Sequence, residues 1–343
     1  MDYPVRLAIN GYGRIGRCIV RALFERQLIG NGYEVVLINE PADIDTMIYL
    51  TRYDSTHGPL PAHVDSDPAG LRINDHRIAV THARTPEEVP WADYPIDVVL
   101  ECSGMFGVRS ELDRFLKAGC PRLLVSHPGQ SAEDVDFTLV FGVNDQTLKG
   151  TENIVSNASC TTNATVPLLQ HLHRHFDLTS VFLTTLHSVM NDQPMIDGYH
   201  HTDLRRTRSA MQSIIPVSTG LAQGIERLLP YLAGKVQAKA IRVPILNVSA
   251  IDVMLKFREP VTQEVLNESL KTLAQSQPGL IRWTTHPHAS VDFNHDPHSA
   301  IIDGSQTRVN SEGMANLLIW FDNEWGFANR MIDAVSSWAK RWN

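Results

Sequence analysis

The chain lacks the features that would tie it to a membrane, to nucleic acid or to an oxidising compartment. No apolar run approaches the roughly 18 residues a spanning helix needs, so no membrane partner is expected. Basic residues are the minority: 30 Lys and Arg against 38 Asp and Glu, mixed along the chain, leave a net charge of -8. Such a balance argues against nucleic acid or an anionic bilayer as the main partner and leaves small substrates open. Only four cysteines occur, Cys18, Cys102, Cys120 and Cys160, with no CxxC pair and no regular spacing. Neither a disulfide framework nor a zinc site is suggested, and a reactive thiol is the remaining use. The first residues carry an acid at Asp2 and glycines where a signal peptide has its apolar stretch, so a cytoplasmic location is expected.

What is present is the composition of an ordinary globular protein, 43% hydrophobic and 20% charged. At 343 residues the chain exceeds the roughly 250–300 at which one core stops growing, and two domains are expected. Short β-branched runs at 5–10, 34–39, 96–101, 122–126, 138–142 and 153–156 read as strands buried on both faces, with helical periodicity at 15–28 and 109–118. The pattern predicts a doubly wound parallel sheet. From about residue 160 it changes to a helix over 161–175 followed by longer alternating segments at 181–187 and 247–257, which predict a mixed or antiparallel sheet with helices on one side. In the second of these, Ser249, Ile251, Val253, Leu255 and Phe257 share a face with Asn247. The amphipathic segment 324–342 puts Met331, Val335 and Trp338 on one stripe. The expected division is a dinucleotide-binding domain over 1–159, completed by 323–343, and a catalytic domain over 160–322.

Gly11, Gly13 and Gly16 form G-x-G-x-x-G directly after the first strand and at the opening of a helix. Glycines there permit a tight turn and let the backbone approach a pyrophosphate at the positive helix end, with Arg14 and Ile15 offering N–H groups. Glu40 ends the second strand 24 residues after Gly16, the position of an acid that binds the adenosine ribose hydroxyls. Its charge repels a 2′-phosphate, so NAD is expected rather than NADP.

Cys160 stands just before an apolar helical run, where a helix dipole lowers a thiol pKa. It is the candidate nucleophile. His187 follows the returning strand 27 residues on, placed to hold the thiolate and take up a proton. His200, His201, His286, His288, His295 and His298 include close pairs, but no carboxylate or thiol stands at matching helical spacing and no metal site is expected. Arg205, Arg206 and Arg208, with Arg242, supply guanidinium forks for phosphate in an otherwise acidic chain, to which Thr219 and Gly220 add a hydroxyl and an N–H.

NGYGRIGR at 10–17, NASCTTN at 157–163, RVP at 242–244 and DNEWGFANRM at 322–331 together resemble the phosphorylating glyceraldehyde-3-phosphate dehydrogenase family, over essentially the whole chain. The resemblance implies Cys160 as nucleophile, His187 as its base, and Asn323 on the nicotinamide carboxamide. It further implies Arg242 and Thr161 on the substrate phosphate and Arg206 and Thr219 in a second anion region, with Ser159 and Gly220 beside them. It also implies a homotetramer, with the segment 188–212 at the subunit interface. One position departs from the pattern. Three residues after the histidine, where that family presents a threonine hydroxyl, stands Met190, whose thioether cannot donate a hydrogen bond. The stretches at 126–131, 187–208 and 291–304 look instead like the erythrose-4-phosphate dehydrogenase branch, which feeds pyridoxal 5′-phosphate synthesis. The substrate that follows is a phosphorylated aldehyde, and the thioester would be released by water; glyceraldehyde 3-phosphate with release by phosphate is the alternative.

Overall fold

The computed structural model describes residues 3–200 and 203–342. Asp2 and His201 lie outside them. The chain divides into two compact units, one formed by Met1–Ser159 with Phe327–Asn343 and the other by Cys160–Gly326.

The first unit is built on a nine-stranded sheet. Its strands are β1 (Val5–Asn10), β2 (Tyr33–Asn39), β3 (Val64–Asp67), β4 (Gly70–Ile73), β5 (His76–Thr81), β6 (Val98–Glu101), β7 (Leu123–Val125), β8 (Phe137–Thr138) and β9 (Ile154–Ser156), in the order β3-β4-β5-β2-β1-β6-β7-β9-β8. From β5 to β8 every pairing is parallel, so the connections cross over, through helices that include α1 (Arg14–Glu25), α2 (Ile44–Arg52) and α3 (Arg109–Lys117). Strand order reverses at β1, which has β2 on one side and β6 on the other. The ends of these strands are where a doubly wound sheet opens a crevice for a ligand. Leu7, Ala8, Ile9, Val98, Val99 and Leu100 are wholly buried, as continuous apolar runs predict.

Two features differ from the sequence reading. The run 138–142 is not a strand through its length: pairing stops at Thr138, and Val140 and Gly142 instead donate their N–H groups to Asn144 and Asp145 in a turn. The antiparallel ribbon β3-β4-β5 was absent from that reading because polar segments such as VDSD at Val64–Asp67 carry no apolar signature.

The second unit opens with α4 (Cys160–Phe176), followed by β10 (Leu178–His187), β11 (Ile215–Val217), α5 (Leu221–Leu228), β12 (Val236–Arg242), β13 (Ser249–Phe257), α6 (Gln263–Ser276), β14 (Ile281–Thr284), β15 (Ala300–Asp303), β16 (Arg308–Val309) and β17 (Met314–Phe321). The sheet order is β11-β12-β10-β13-β17-β15-β14, with β16 on β17. It is mixed: β10 is parallel to β12 and β14 to β15, while the remaining pairs are antiparallel. Ser249, Ile251, Val253, Leu255 and Phe257 are buried on one face of β13, whereas Lys256 on the other is exposed. Asn247 precedes the strand, which a left-handed Val248 (φ 65°) delays to Ser249. The last helix, α7 (Trp325–Ala339), buries Met331, Val335 and Trp338 completely. No helix among the described residues is long and apolar enough to cross a membrane.

Candidate functional site

The glycine loop of the first unit assigns a different task to each glycine. Gly11 has φ +87°, and a Cβ there would stand 2.5 Å from the Ser103 backbone. At Gly16 a Cβ would stand 2.4 Å from the Gly11 carbonyl oxygen, so α1 packs on the loop only because that atom is missing. At Gly13 a Cβ would meet nothing within 4 Å. The first and third glycines are thus required by the protein's own packing, while the second leaves open space against the backbone at the head of a twelve-residue helix. That cradle suits a pyrophosphate, which needs close backbone approach and the positive helix end.

Gly11, Gly13 and Glu40 line one cavity of about 610 Å³, together with Asn10, Asn39, Cys102, Ser103 and Phe106. The Glu40 carboxylate accepts the Tyr12 N–H at 2.8 Å, which ties the loop to the end of β2, and takes Ala42 N–H at 3.2 Å on its other oxygen. Arg14 turns its side chain away from this cavity's lining and pairs with Asp54, so its contribution here is its backbone at the start of α1. Ile15 follows it in the first turn.

Beneath the loop lies a polar network with no sequence signature. Glu101, fully buried at the end of β6, accepts the Ser103 N–H at 2.8 Å, the Ser103 hydroxyl and an N–H of the Asn10 amide. Asn39 donates to Asn10 at 2.8 Å, and Thr81 and Ala83 donate to Asn39. The ends of four strands are thereby held together around the crevice. Burial raises the Glu101 pKa to about 7, against the opposing pull of the Ser103 and Asn10 hydrogen bonds.

In the second unit, Cys160 starts α4 as the sequence suggests. The chain reaches it through Ala158 at φ +56°, a left-handed backbone that costs a non-glycine residue energy and persists only because its surroundings hold it. The Cys160 sulfur lies 3.8 Å from His187 Nε2. His187 Nδ1 is 2.8 Å from the Ser188 carbonyl oxygen, which can only accept, so the ring carries its proton on Nδ1 and turns the Nε2 lone pair toward sulfur.

The protonation states correct the sequence reading. A helix start does lower a thiol pKa, and the Thr161 and Cys160 N–H groups pull in that direction here, but burial is the larger effect and the Asp322 charge adds to it. The thiol is pushed up to about 12. Burial also drives His187 below its usual value, outweighing the hydrogen bond to Ser188. Both shifts favour the neutral pair, a thiol facing a neutral imidazole. Cys102 and Cys120 are also pushed up by burial, so a nearby basic nitrogen, not thiol acidity, sets Cys160 apart.

Asn323 belongs to the same unit. Its side-chain oxygen accepts the Ser188 hydroxyl at 3.0 Å and the Ser249 hydroxyl at 2.8 Å, which fixes the amide and leaves Nδ2 as its donor end. Both serines are fully buried. Neither was anticipated, although Ser188 adjoins His187.

Arg242 is in register with His187 on the neighbouring parallel strand. Arg206 reaches the same place by way of Asp192, whose carboxylate takes Arg242 Nη1 at 2.6 Å and Arg206 Nη1 at 3.0 Å. Met190 Sδ lies 3.5 Å from Arg242 Nη2. Arg205 and Arg208 are elsewhere: the first lines a cavity with Lys239 and Ser218, and the second pairs with Asp197. The Thr219 hydroxyl accepts the Leu221 N–H at 3.2 Å, and Gly220 precedes the first residue of α5, so both organise a helix start. Ser159 and Thr161 flank Cys160 and are half-buried. Among the remaining histidines, His295 stacks on Trp325 at 3.7 Å and His298 bonds Asp296 and the Pro278 carbonyl, which are structural roles.

Comparison with known families gives two matches. Residues 5–109 match the family described as glyceraldehyde 3-phosphate dehydrogenase, NAD binding domain. Residues 159–323 match glyceraldehyde 3-phosphate dehydrogenase, C-terminal domain.

Proposed function

Since this chain belongs to the glyceraldehyde 3-phosphate dehydrogenase family and is an NAD-dependent oxidoreductase, we propose that it oxidises D-erythrose 4-phosphate to 4-phosphoerythronate, a reaction serving pyridoxal 5′-phosphate synthesis. The observation that carries the choice of branch is Met190, a thioether set against Arg242 where the family pattern offers a hydroxyl.

The residues present fit NAD. In the first unit the open face of Gly13 would take the pyrophosphate and Glu40 the adenosine ribose. When bound, NAD accepts the hydride. The chain's own residues do the rest. As the Cys160 sulfur attacks C1, its proton passes to His187 Nε2, whose lone pair already faces it. The carbonyl oxygen of the resulting hemithioacetal is held by the Cys160 N–H and His187, and Arg242 and Arg206 hold the phosphate. Loss of hydride from C1 of this oxyanion leaves a thioester on Cys160, with the proton from sulfur held on His187. Water then adds to its carbonyl carbon, the C–S bond breaks, the sulfur regains a proton, and the acid leaves. A positioned base of this kind accelerates such steps by roughly 10²–10⁴.

A homotetramer in the cytoplasm completes the proposal. Met195, Ile196, Leu204 and Ile214 are 71–85% exposed, and apolar side chains gathered in one segment of that kind support burial against another copy of the chain. The test of function is turnover with erythrose 4-phosphate and with glyceraldehyde 3-phosphate, each with and without inorganic phosphate. Preference for the four-carbon substrate without dependence on phosphate is expected; strong phosphate dependence with the three-carbon substrate would establish the alternative.

A further inference from the structure

Arg242 stands in register with His187, and its fork is already filled. Asp192 offers one oxygen to Nη1 at 2.6 Å and the other to Nη2 at 3.1 Å, a bidentate arrangement. The same carboxylate takes Arg206 Nη1 at 3.0 Å, and Arg206 also has Asp203 at 3.6 Å. An acid therefore sits on both arginines that the reading above gives to anions. The two sides of the clamp differ in freedom. The Arg242 side chain is 7% exposed, at the end of β12, while the Asp192 side chain is 41% exposed. A solvent-facing carboxylate can return to water at small cost, whereas a buried guanidinium without an anion is costly.

We propose that Asp192 is a specificity-determining residue, an internal carboxylate that competes with the substrate's phosphate for Arg242 and Arg206. It keeps the buried arginine paired, and it yields to a dianion because two negative charges gain more from the two guanidiniums than one does. A monoanionic carboxylate gains nothing over Asp192 and is turned away. The inference rests on the reading that Arg242 receives the phosphate.

The test compares the wild-type protein, Asp192→Asn and Arg242→Leu for turnover of erythrose 4-phosphate and of unphosphorylated erythrose, with inorganic phosphate as a competing anion. Asp192→Asn removes the charge and keeps the shape. The expected result is a KM for the phosphorylated aldehyde about tenfold lower with little change in kcat, and inhibition by inorganic phosphate about tenfold tighter. The preference for the phosphorylated over the unphosphorylated aldehyde, as kcat/KM, would rise by the same factor. If Asp192 only braces Arg242, the KM of Asp192→Asn rises instead, and an unchanged KM equally overturns the proposal. Arg242→Leu separates the two levels: a raised KM for the phosphorylated aldehyde alone upholds the phosphate site, so that a contrary result at Asp192 overturns the competition only. An unchanged KM in Arg242→Leu overturns both.

Discussion

The Cys160 sulfur stands 3.8 Å from Nε2 of His187, and the ring's other nitrogen is anchored on the Ser188 carbonyl oxygen. This contact joins a helix start to a strand end 27 residues away in the sequence, and the pKa shifts of both groups favour their neutral forms. The chemical behaviour of the site follows from that pairing.

Alkylation of Cys160 by iodoacetamide should report the protonation state directly. With the thiol raised to about 12, the thiolate fraction keeps increasing through neutral pH, so the alkylation rate rises with pH from about 6 to 9 without levelling off. Arrival at a plateau below pH 7 would mean that a thiolate–imidazolium pair exists at rest.

Replacing His187 by Gln removes the acceptor while keeping a side chain of similar length. We expect kcat/KM to fall roughly 10²–10⁴-fold. In the wild-type protein the acid limb of the kcat/KM profile should lie below the ordinary imidazole range, since burial lowers His187: activity requires the neutral ring and is lost only as pH drops through that lowered value. A pH titration of both proteins checks this, the limb being absent from His187→Gln.

Glu101 makes the stability of the first unit depend on pH in the direction opposite to a salt-bridged acid. Its folded pKa of about 7 lies above the ordinary carboxyl value of 4.5, so between these values the folded chain binds more protons than the unfolded one. Stability is then highest below pH 4.5 for this group and declines as pH rises through about 7, by on the order of 3 kcal/mol. Denaturant unfolding of the wild type and Glu101→Gln at pH 5 to 8 should show the decline in the first and its absence in the second.

The glycines predict separable defects. Gly11→Ala meets both a φ of +87° and the Ser103 backbone and should cost at least about 1 kcal/mol of stability. Gly13→Ala meets nothing within 4 Å in the protein, so its unfolding should match the wild type while NAD affinity, read by titration calorimetry, falls roughly tenfold.

How much of this was legible in the sequence varies with the range of the interaction. The parallel strands around β1 and the glycine turn after it are legible because buried apolar runs and turn glycines are local signals, whereas the separate tasks of Gly11, Gly13 and Gly16 emerge only from the packing around each. Cys160 is legible from its place ahead of a helix, but the direction of its pKa shift is not: the helix end is a local feature, whereas the burial that outweighs it comes from residues distant in sequence. The same holds for Asp192, which belongs to no motif and is set across two arginines only by the folded loop. Glu101, Ser188 and Ser249 escaped because a buried polar network is a property of strand ends brought together, with no spacing rule to announce it.

The most direct test is a single turnover with NAD and erythrose 4-phosphate, quenched in acid and read by peptide mass spectrometry. The account predicts a rapid burst of NADH with an acyl group carried on the Cys160 peptide, which decays to free 4-phosphoerythronate without added phosphate, and no burst in Cys160→Ser. An undiminished burst in Cys160→Ser, or an acyl group on any other residue, would contradict it.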